Sequence, residues 1–453
     1  MRREIIDRAI NPDVTAVDRV REIAQLPDIL KVAALNDLHH GLQETPVSVA
    51  AATKNTIYLE LTSNVINCGM SVITTELTED QITTEFVSKF CSELRKQDSA
   101  HKPTQDDIEK FLSHGSEHVI ERFGLDQETR EHIENGGSMF APDEYPDDVS
   151  DLVPPWLLRY GGTYQDTPIT SLASNHFIEF QTVDEIVDTE TADEWGLSKD
   201  QVVIFMHGDY ALTFYMNWHH ANRRKFREQI GLVDRTKMQL SKAAFHLWRD
   251  GLKNFPGNWQ KYNSEERYTG FDLNTEPGKH LSKVIYAAMN FGYANRLLSS
   301  ICIEQSINEI IDDPGEIQLL WDVGHDTIQE ETIDGETYWI HRKGAAKAVP
   351  DKPALISGSY NMNSFLGKGL STASSYLNSY DHGCSNVIEY FESNDRLSEI
   401  DVSTRMFDYP DGTTYREIRH VDPGPIEAVV DTLTADEVLS EVAWLRPIVN
   451  IGE

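Results

Sequence analysis

Val202-Val203-Ile204-Phe205-Met206 is an unbroken apolar run that stops on His207. A run this short, bounded by polar residues, fits a strand buried on both faces better than a helix. A histidine at its end stands where strands of mixed α/β folds present functional groups. Upstream, Asn175-His176-Phe177-Ile178-Glu179-Phe180 predicts a second strand, whose alternate side chains face opposite sides. Downstream, helices are expected at about 211–229, 236–250 and 280–312. No linker separates these blocks. The pattern predicts one α/β domain over residues 1–453, with mixed sheets surrounded by helices and a helical insertion around 211–312.

The flanks fill in this picture. The first fifty residues predict a helix and then a loop, Leu35-Asn36-Asp37-Leu38-His39-His40-Gly41. Thr56-Ile57-Tyr58-Leu59-Glu60-Leu61 is strand-like, and Ser71-Val72-Ile73 begins another strand after Cys68-Gly69-Met70. Residues 79–97 and 105–123 predict amphipathic helices, with Ile82, Phe86, Phe90 and Leu94 on one face and Thr104 as an N-cap. The stretch 124–170, rich in Pro, Gly and Asp, predicts a long loop. Asp334-Gly335 signals a hairpin turn into Thr337-Tyr338-Trp339-Ile340-His341. The tail predicts a helix near 435–444 and then a short strand.

Composition limits the function. The 453 residues are 40% hydrophobic, ample for a large core, and 74 acidic against 40 basic residues give a net charge of −34. Such a surface repels nucleic acid unless cations are clustered locally, which argues against a general nucleic-acid binder. It suits a protein working in high salt, where screening is short-ranged, and equally an acidic protein of ordinary habitat. No apolar run reaches the roughly eighteen residues of a membrane span, and the start lacks the apolar stretch of a signal peptide. Cys68, Cys91, Cys302 and Cys384 are too few and scattered for a disulfide framework. A cytoplasmic protein with reduced thiols is expected; Cys91 and Cys302 fall in helical patterns and belong to the core.

Taken singly, His207, His325 in Trp321-Asp322-Val323-Gly324-His325, and Cys68 are each better explained as core residues than as ligands. Their neighbours change the balance. Cys68 is followed by Gly69, which allows close backbone approach. His382 lies between Asp381 and Gly383 after a Ser- and Gly-rich stretch. His341-Arg342-Lys343-Gly344-Ala345-Ala346-Lys347 is a basic cluster whose Arg fork and Lys charge match phosphate, though a solvated face fits it as well. Trp218-His219-His220, on a predicted helix, offers a further ligand, but surface or core packing is the better reading.

Several short blocks then fall in a telling order. Asp37-Leu38-His39, Asn67-Cys68-Gly69, Asn175-His176-Phe177-Ile178-Glu179, Ala288-Met289-Asn290-Phe291 with Ala294-Asn295-Arg296, Asp322-Val323 with His325, His341-Arg342-Lys343-Gly344-Ala345 and His382-Gly383 span roughly residues 35–385. Together they resemble the signature blocks of RtcB-type RNA ligases. The resemblance implies a fold with a central metal and nucleotide cleft. It implies an enzyme dependent on GTP and Mn2+, with Zn2+ an alternative, that joins RNA ends bearing a 3′-phosphate or 2′,3′-cyclic phosphate to 5′-hydroxyl ends through a GMP–histidine intermediate. Metal ligands carry over to Cys68, His176, His207 and His325, and the guanylylated nucleophile to His382. Nucleotide contacts carry over to Asn175, Glu179, Ser359 and Ser364. Arg342 and Lys343 are expected to hold phosphate or RNA, and Asp37 and His39 to orient the ligands. Implied partners are such RNA ends and a protein activator of the archease type.

The chain departs from this pattern at four places. The aspartate that the family places three residues before the cysteine, itself a metal ligand, is Val65 here. A Ser-Arg-Gly-type loop is replaced by Gly208-Asp209-Tyr210-Ala211, and family arginines fall on Asn386 and Tyr390. The C-terminal lysine that touches guanine has no match in Pro447-Ile448-Val449-Asn450-Ile451-Gly452-Glu453. Arg223, Arg224, Lys225 and Arg227 offer basic residues in compensation, although such a run on a helix is more often a solvated face. Besides ligation, the losses leave open a metal-dependent phosphoesterase that activates water. They also leave open a catalytically silent metal-binding paralogue that acts as a partner in RNA repair.

Overall fold

The computed structural model describes residues 4–41, 43–146, 148–158, 176–208, 211–221, 231–264 and 266–452. Asn175, Asp209, Tyr210 and the basic run from Arg223 to Arg227 lie outside the described residues.

The architecture is mixed α/β. The Gln201–Gly208 strand lies inside the largest sheet, between Phe177–Ile186 and Gly69–Thr78, antiparallel to both. Gln318–Gly324 flanks Gly69–Thr78 on one side, and Leu439–Gly452 flanks Phe177–Ile186 on the other. Ser364–Gly369 and Pro353–Ile356 continue beyond Leu439–Gly452, and Glu399–Asp408 joins that long strand in parallel. Val202, Ile204 and Met206 enter one apolar core, while Val203 and Phe205 enter another. The run is apolar without alternation because both faces are covered.

The first core is closed by helices. Thr84–Ala100 sends Phe86 and Phe90 edge-on against Phe180. Glu276–Asn308, capped by Thr275 with Pro277 in its first turn, is buried along most of its length and crosses the same face. The second core lies between the large sheet and a five-stranded sheet ordered Glu4–Asp7, Ile29–His39, Val47–Thr53, Glu336–Lys343, Ile328–Ile333. Asp334 and Gly335 turn the last pair with φ of 51° and 81°, as the Asp-Gly signal requires.

Three expectations fail for identifiable reasons. Residues 35–39 form the end of the Ile29–His39 strand rather than a loop. Asn36 and Asp37 look loop-like but are fully buried, bonded to Asp381 far along the chain. The tail helix is Gly424–Ala435, and 439–444 is strand, because its backbone pairs with neighbours on both sides. The helix expected over 105–123 is two, Gln105–His114 and Ser116–Phe123. Gly115 breaks it at φ +63°, where a Cβ would lie 2.1 Å from the Gly137 carbonyl oxygen. Thr104 caps the first piece as expected, with Asp107 completing a capping box. No helix among the described residues is long and apolar enough to cross a membrane.

Candidate metal and nucleotide site

Antiparallel pairing sets the start of one strand beside the end of the next. Gly69 pairs with both Gly208 and Gly324, and Phe177 pairs with His207. Cys68, His176, His207 and His325 therefore meet at one end of four adjacent strands. The Cys68 Sγ lies 3.2 Å from His207 Nε2 and 3.9 Å from His176 Nε2. His207 Nε2 lies 3.3 Å from His325 Nε2. Ligand atoms of Cys68, His207 and His325 all fall within 4.8 Å of one another, and all three residues are buried. One soft sulfur with imidazole nitrogens is a donor set for a transition ion such as zinc rather than for magnesium. Burial, then the imidazoles of His382 and His207, hold His325 well below the ordinary histidine range. It is thus neutral, the form that ligates a metal.

His382 approaches from the other side. The strand Ser379–Asp381 pairs with Ala345–Lys347, which places the His382 ring 4.3 Å from that of His325. Its Nδ1 lies 2.9 Å from the Gly344 carbonyl oxygen. A carbonyl only accepts, so Nδ1 carries the proton and Nε2 keeps the lone pair. Burial pushes the ring down to about 4, so it stays neutral near physiological pH. Asp37 anchors the segment: its Oδ1 accepts from the N–H groups of Asn386 and Val387 at 2.7 and 3.1 Å, at the start of helix Ser385–Ser393. The Asp37 N–H in turn donates to Asp381 Oδ1 at 2.9 Å. Asp37 thus fixes the chain on both sides of His382, and His39, whose Nδ1 meets the Asp37 carbonyl at 2.7 Å, lines the same cavity as the ligands.

Two cavities meet at these imidazoles. One, of about 400 Å³, is lined by Cys68, His325, Lys343 and His39 as well as His176 and His382. The other, of about 410 Å³, shares His176 and His382 and extends past Phe177, Ser359 and Asn450. Ser364 and Glu179 stand behind that wall. Asn450 Nδ2 donates to Glu179 Oε1 at 2.8 Å, and the Gln181 amide donates to both Glu179 and Ser364. Burial raises the Glu179 carboxyl to about 7.

Residues 19–453 match the family model for the tRNA-splicing ligase RtcB. The chain belongs to the RtcB family. It is 27% identical to a tRNA-splicing ligase RtcB of Methanococcus maripaludis, over 82% of this chain and 75% of that one. A tRNA-splicing ligase RtcB of Thermococcus kodakarensis is 25% identical over 78% of this chain and 72% of its own. RNA-splicing ligase RtcB homolog 1 of Entamoeba dispar is 23% identical over 99% of this chain and 84% of its own.

Within this RtcB frame, one expected phosphate contact sits elsewhere. Arg342 is fully buried, paired with Glu331, and donates to Ser379 Oγ and the Leu377 and Asn378 carbonyls. Its fork is spent inside the protein and it lines neither cavity. Lys343, next along the strand, does line the first cavity, where its ammonium also donates to the Thr45 carbonyl. Val65 lines that cavity too. His219 and His220 pack around Phe245, apart from the ligand cluster, as their assignment to packing requires. Cys91 and Cys302 are core, and Cys384 is a buried thiol directed at the Gly358 carbonyl.

Two features escaped the sequence reading. The turn before Cys68 is made by Asn67, at φ 62°. Gly69 is needed for space, since a Cβ there would lie 2.5 Å from the Arg296 guanidinium carbon. That guanidinium donates to the Asn67 carbonyl at 2.6 Å and so holds the ligand loop from beneath. Only the block order hinted at Arg296; its partner could not be read from spacing.

Proposed function

We propose that this chain is an RNA ligase of the RtcB type, acting over residues 1–453 as one catalytic domain. The observation that carries the reading is the convergence of Cys68, His207 and His325 beside His382, a neutral imidazole whose Nε2 keeps its lone pair. The names of its relatives support RNA as the substrate. Bound manganese would neutralise phosphate charge next to the sulfur and imidazoles.

In this reading Ser359 and Asn450 would line the space that holds the nucleotide, and Lys343 would meet phosphate charge in the adjoining cavity. The His382 Nε2 attacks the α-phosphorus; a P–N bond forms while the bond to pyrophosphate breaks. Where the RNA end is a 2′,3′-cyclic phosphate, water first opens the P–O bond to the 2′-oxygen, and the resulting 3′-phosphate then takes GMP from the ring. The 5′-hydroxyl attacks that activated phosphate, and GMP leaves as the phosphodiester forms. Lys343 supplies positive charge where phosphate charge develops.

The test is an assay with paired RNA strands, one ending in a 2′,3′-cyclic phosphate and one in a 5′-hydroxyl, with GTP and manganese. Joined product that requires both additions supports the proposal. Opening of the cyclic phosphate without joining, and without need of GTP, would make the protein a phosphoesterase. No change in either strand would leave a metal-binding partner without catalysis.

A further inference from the structure

The metal cluster described above consists of one sulfur and imidazole nitrogens, yet its cavity also contains a carboxylate. Asp326 follows His325 directly, is 7% exposed, and is the one acidic residue among the described residues lining that cavity. Its backbone is fixed, because its carbonyl accepts from the Asn67 N–H at 2.8 Å, tying it to the loop that carries Cys68. Its side chain is aimed. Oδ1 accepts from the Gly344 N–H at 2.9 Å, while Oδ2 lies 3.9 Å from His325 Nε2. That same nitrogen is the one facing His207 Nε2 at 3.3 Å.

We infer that Asp326 is the carboxylate ligand of this metal centre. The inference rests on the metal-dependent reading given under the proposed function. Two ligand atoms that sit about 2.1 Å from one ion can be up to about 4.2 Å apart. The 3.9 Å between Asp326 Oδ2 and His325 Nε2 lies inside that reach, whereas the carboxylate does not lie within 4.8 Å of all three of Cys68, His207 and His325, so the ion it serves sits on the His325 side of the cluster. Anchoring one carboxylate oxygen on a backbone N–H while the other points at the metal is how carboxylate ligands are oriented. Val65, in the same cavity, offers only carbon, so the carboxylate comes from the far side of His325 instead. An oxygen donor also shifts a sulfur and nitrogen set towards manganese over zinc. Lys343 lines the cavity as well, and a pairing of Asp326 with that ammonium alone is the rival role.

Manganese binding by the whole chain separates the two, read by equilibrium dialysis with elemental analysis and by the electron-spin signal of free ion. Asp326→Asn keeps an acceptor for the Gly344 N–H and the side-chain shape but removes the charge. We expect it to lose one manganese per chain or to bind at least tenfold more weakly, with Val65→Asp in the same chain recovering part of the loss. Unfolding by urea, followed by circular dichroism, checks that the variant folds. As a measurement free of substitution, anomalous diffraction from manganese-loaded native protein should place an Asp326 oxygen within about 2.3 Å of the ion. Unchanged manganese binding in Asp326→Asn, or an ion remote from Asp326, would overturn the inference and leave the proposed function standing. A native chain that takes up no manganese would overturn both.

Discussion

Arg296 grips Asp322 through two parallel hydrogen bonds, Nε to Oδ2 at 2.7 Å and Nη2 to Oδ1 at 2.8 Å, with both side chains buried. The pair joins the long helix Glu276–Asn308 to the strand Gln318–Gly324 that precedes His325, and its third contact holds the Asn67 carbonyl. Removing one partner strands a buried charge, which costs about 3–5 kcal/mol. Arg296→Ala should lower the unfolding free energy by that amount in urea titration. Arg296→Lys, which cannot reproduce the fork, should recover only part of it.

Cys68 supplies the only sulfur among the described atoms that converge at the centre. Cys68→Ala should weaken manganese or zinc binding at least about tenfold, read by elemental analysis of dialysed protein. Substituting Cys91, buried in the helical core, should leave metal content unchanged.

Asp37 acts on His382 through the backbone of residues 385–387. Asp37→Ala should slow transfer of GMP to the protein about a hundredfold by misplacing the ring, while metal content holds. Asp37→Asn, whose carbonyl oxygen still accepts from the Asn386 and Val387 N–H groups, should restore part of the rate.

The buried imidazoles make the fold sensitive to acid. His341 Nε2 accepts from the Tyr58 N–H at 3.1 Å, and burial pushes the ring down to about 4. Between about pH 6.5 and 4 the unfolded chain binds a proton that the folded chain refuses. The His341 contribution is therefore complete above about pH 6.5 and is lost as pH falls, by up to about 3 kcal/mol. Glu179, raised to about 7, acts in the opposite sense, since its folded form holds a proton that the unfolded chain releases as pH rises above about 4.5. Urea midpoints compared between about pH 7.5 and 5 should fall less steeply in His341→Gln than in the native chain.

These relationships also show what a sequence discloses. The strand Gln201–Gly208 was legible because both its faces are covered, so the run itself is apolar. His207 and His325 became legible as candidate ligands only through the ordered blocks around them, since each taken singly reads as a core histidine. Asn36 and Asp37 were not, since their polarity is satisfied by Asp381, a partner some 345 residues away in the chain. Arg342 looked like part of a phosphate site because nothing local reveals that the hairpin sets Glu331 within reach. The helix misplaced in the tail failed for a related reason: pairing of Leu439–Gly452 on both sides outweighs local preference.

In the proposed reaction the His382 ring is the nucleophile that carries GMP. Native protein incubated with α-32P-labelled GTP and manganese should retain label that survives alkali, is released by mild acid, and disappears in His382→Ala while that variant still binds metal. Label that persists in His382→Ala would contradict the account.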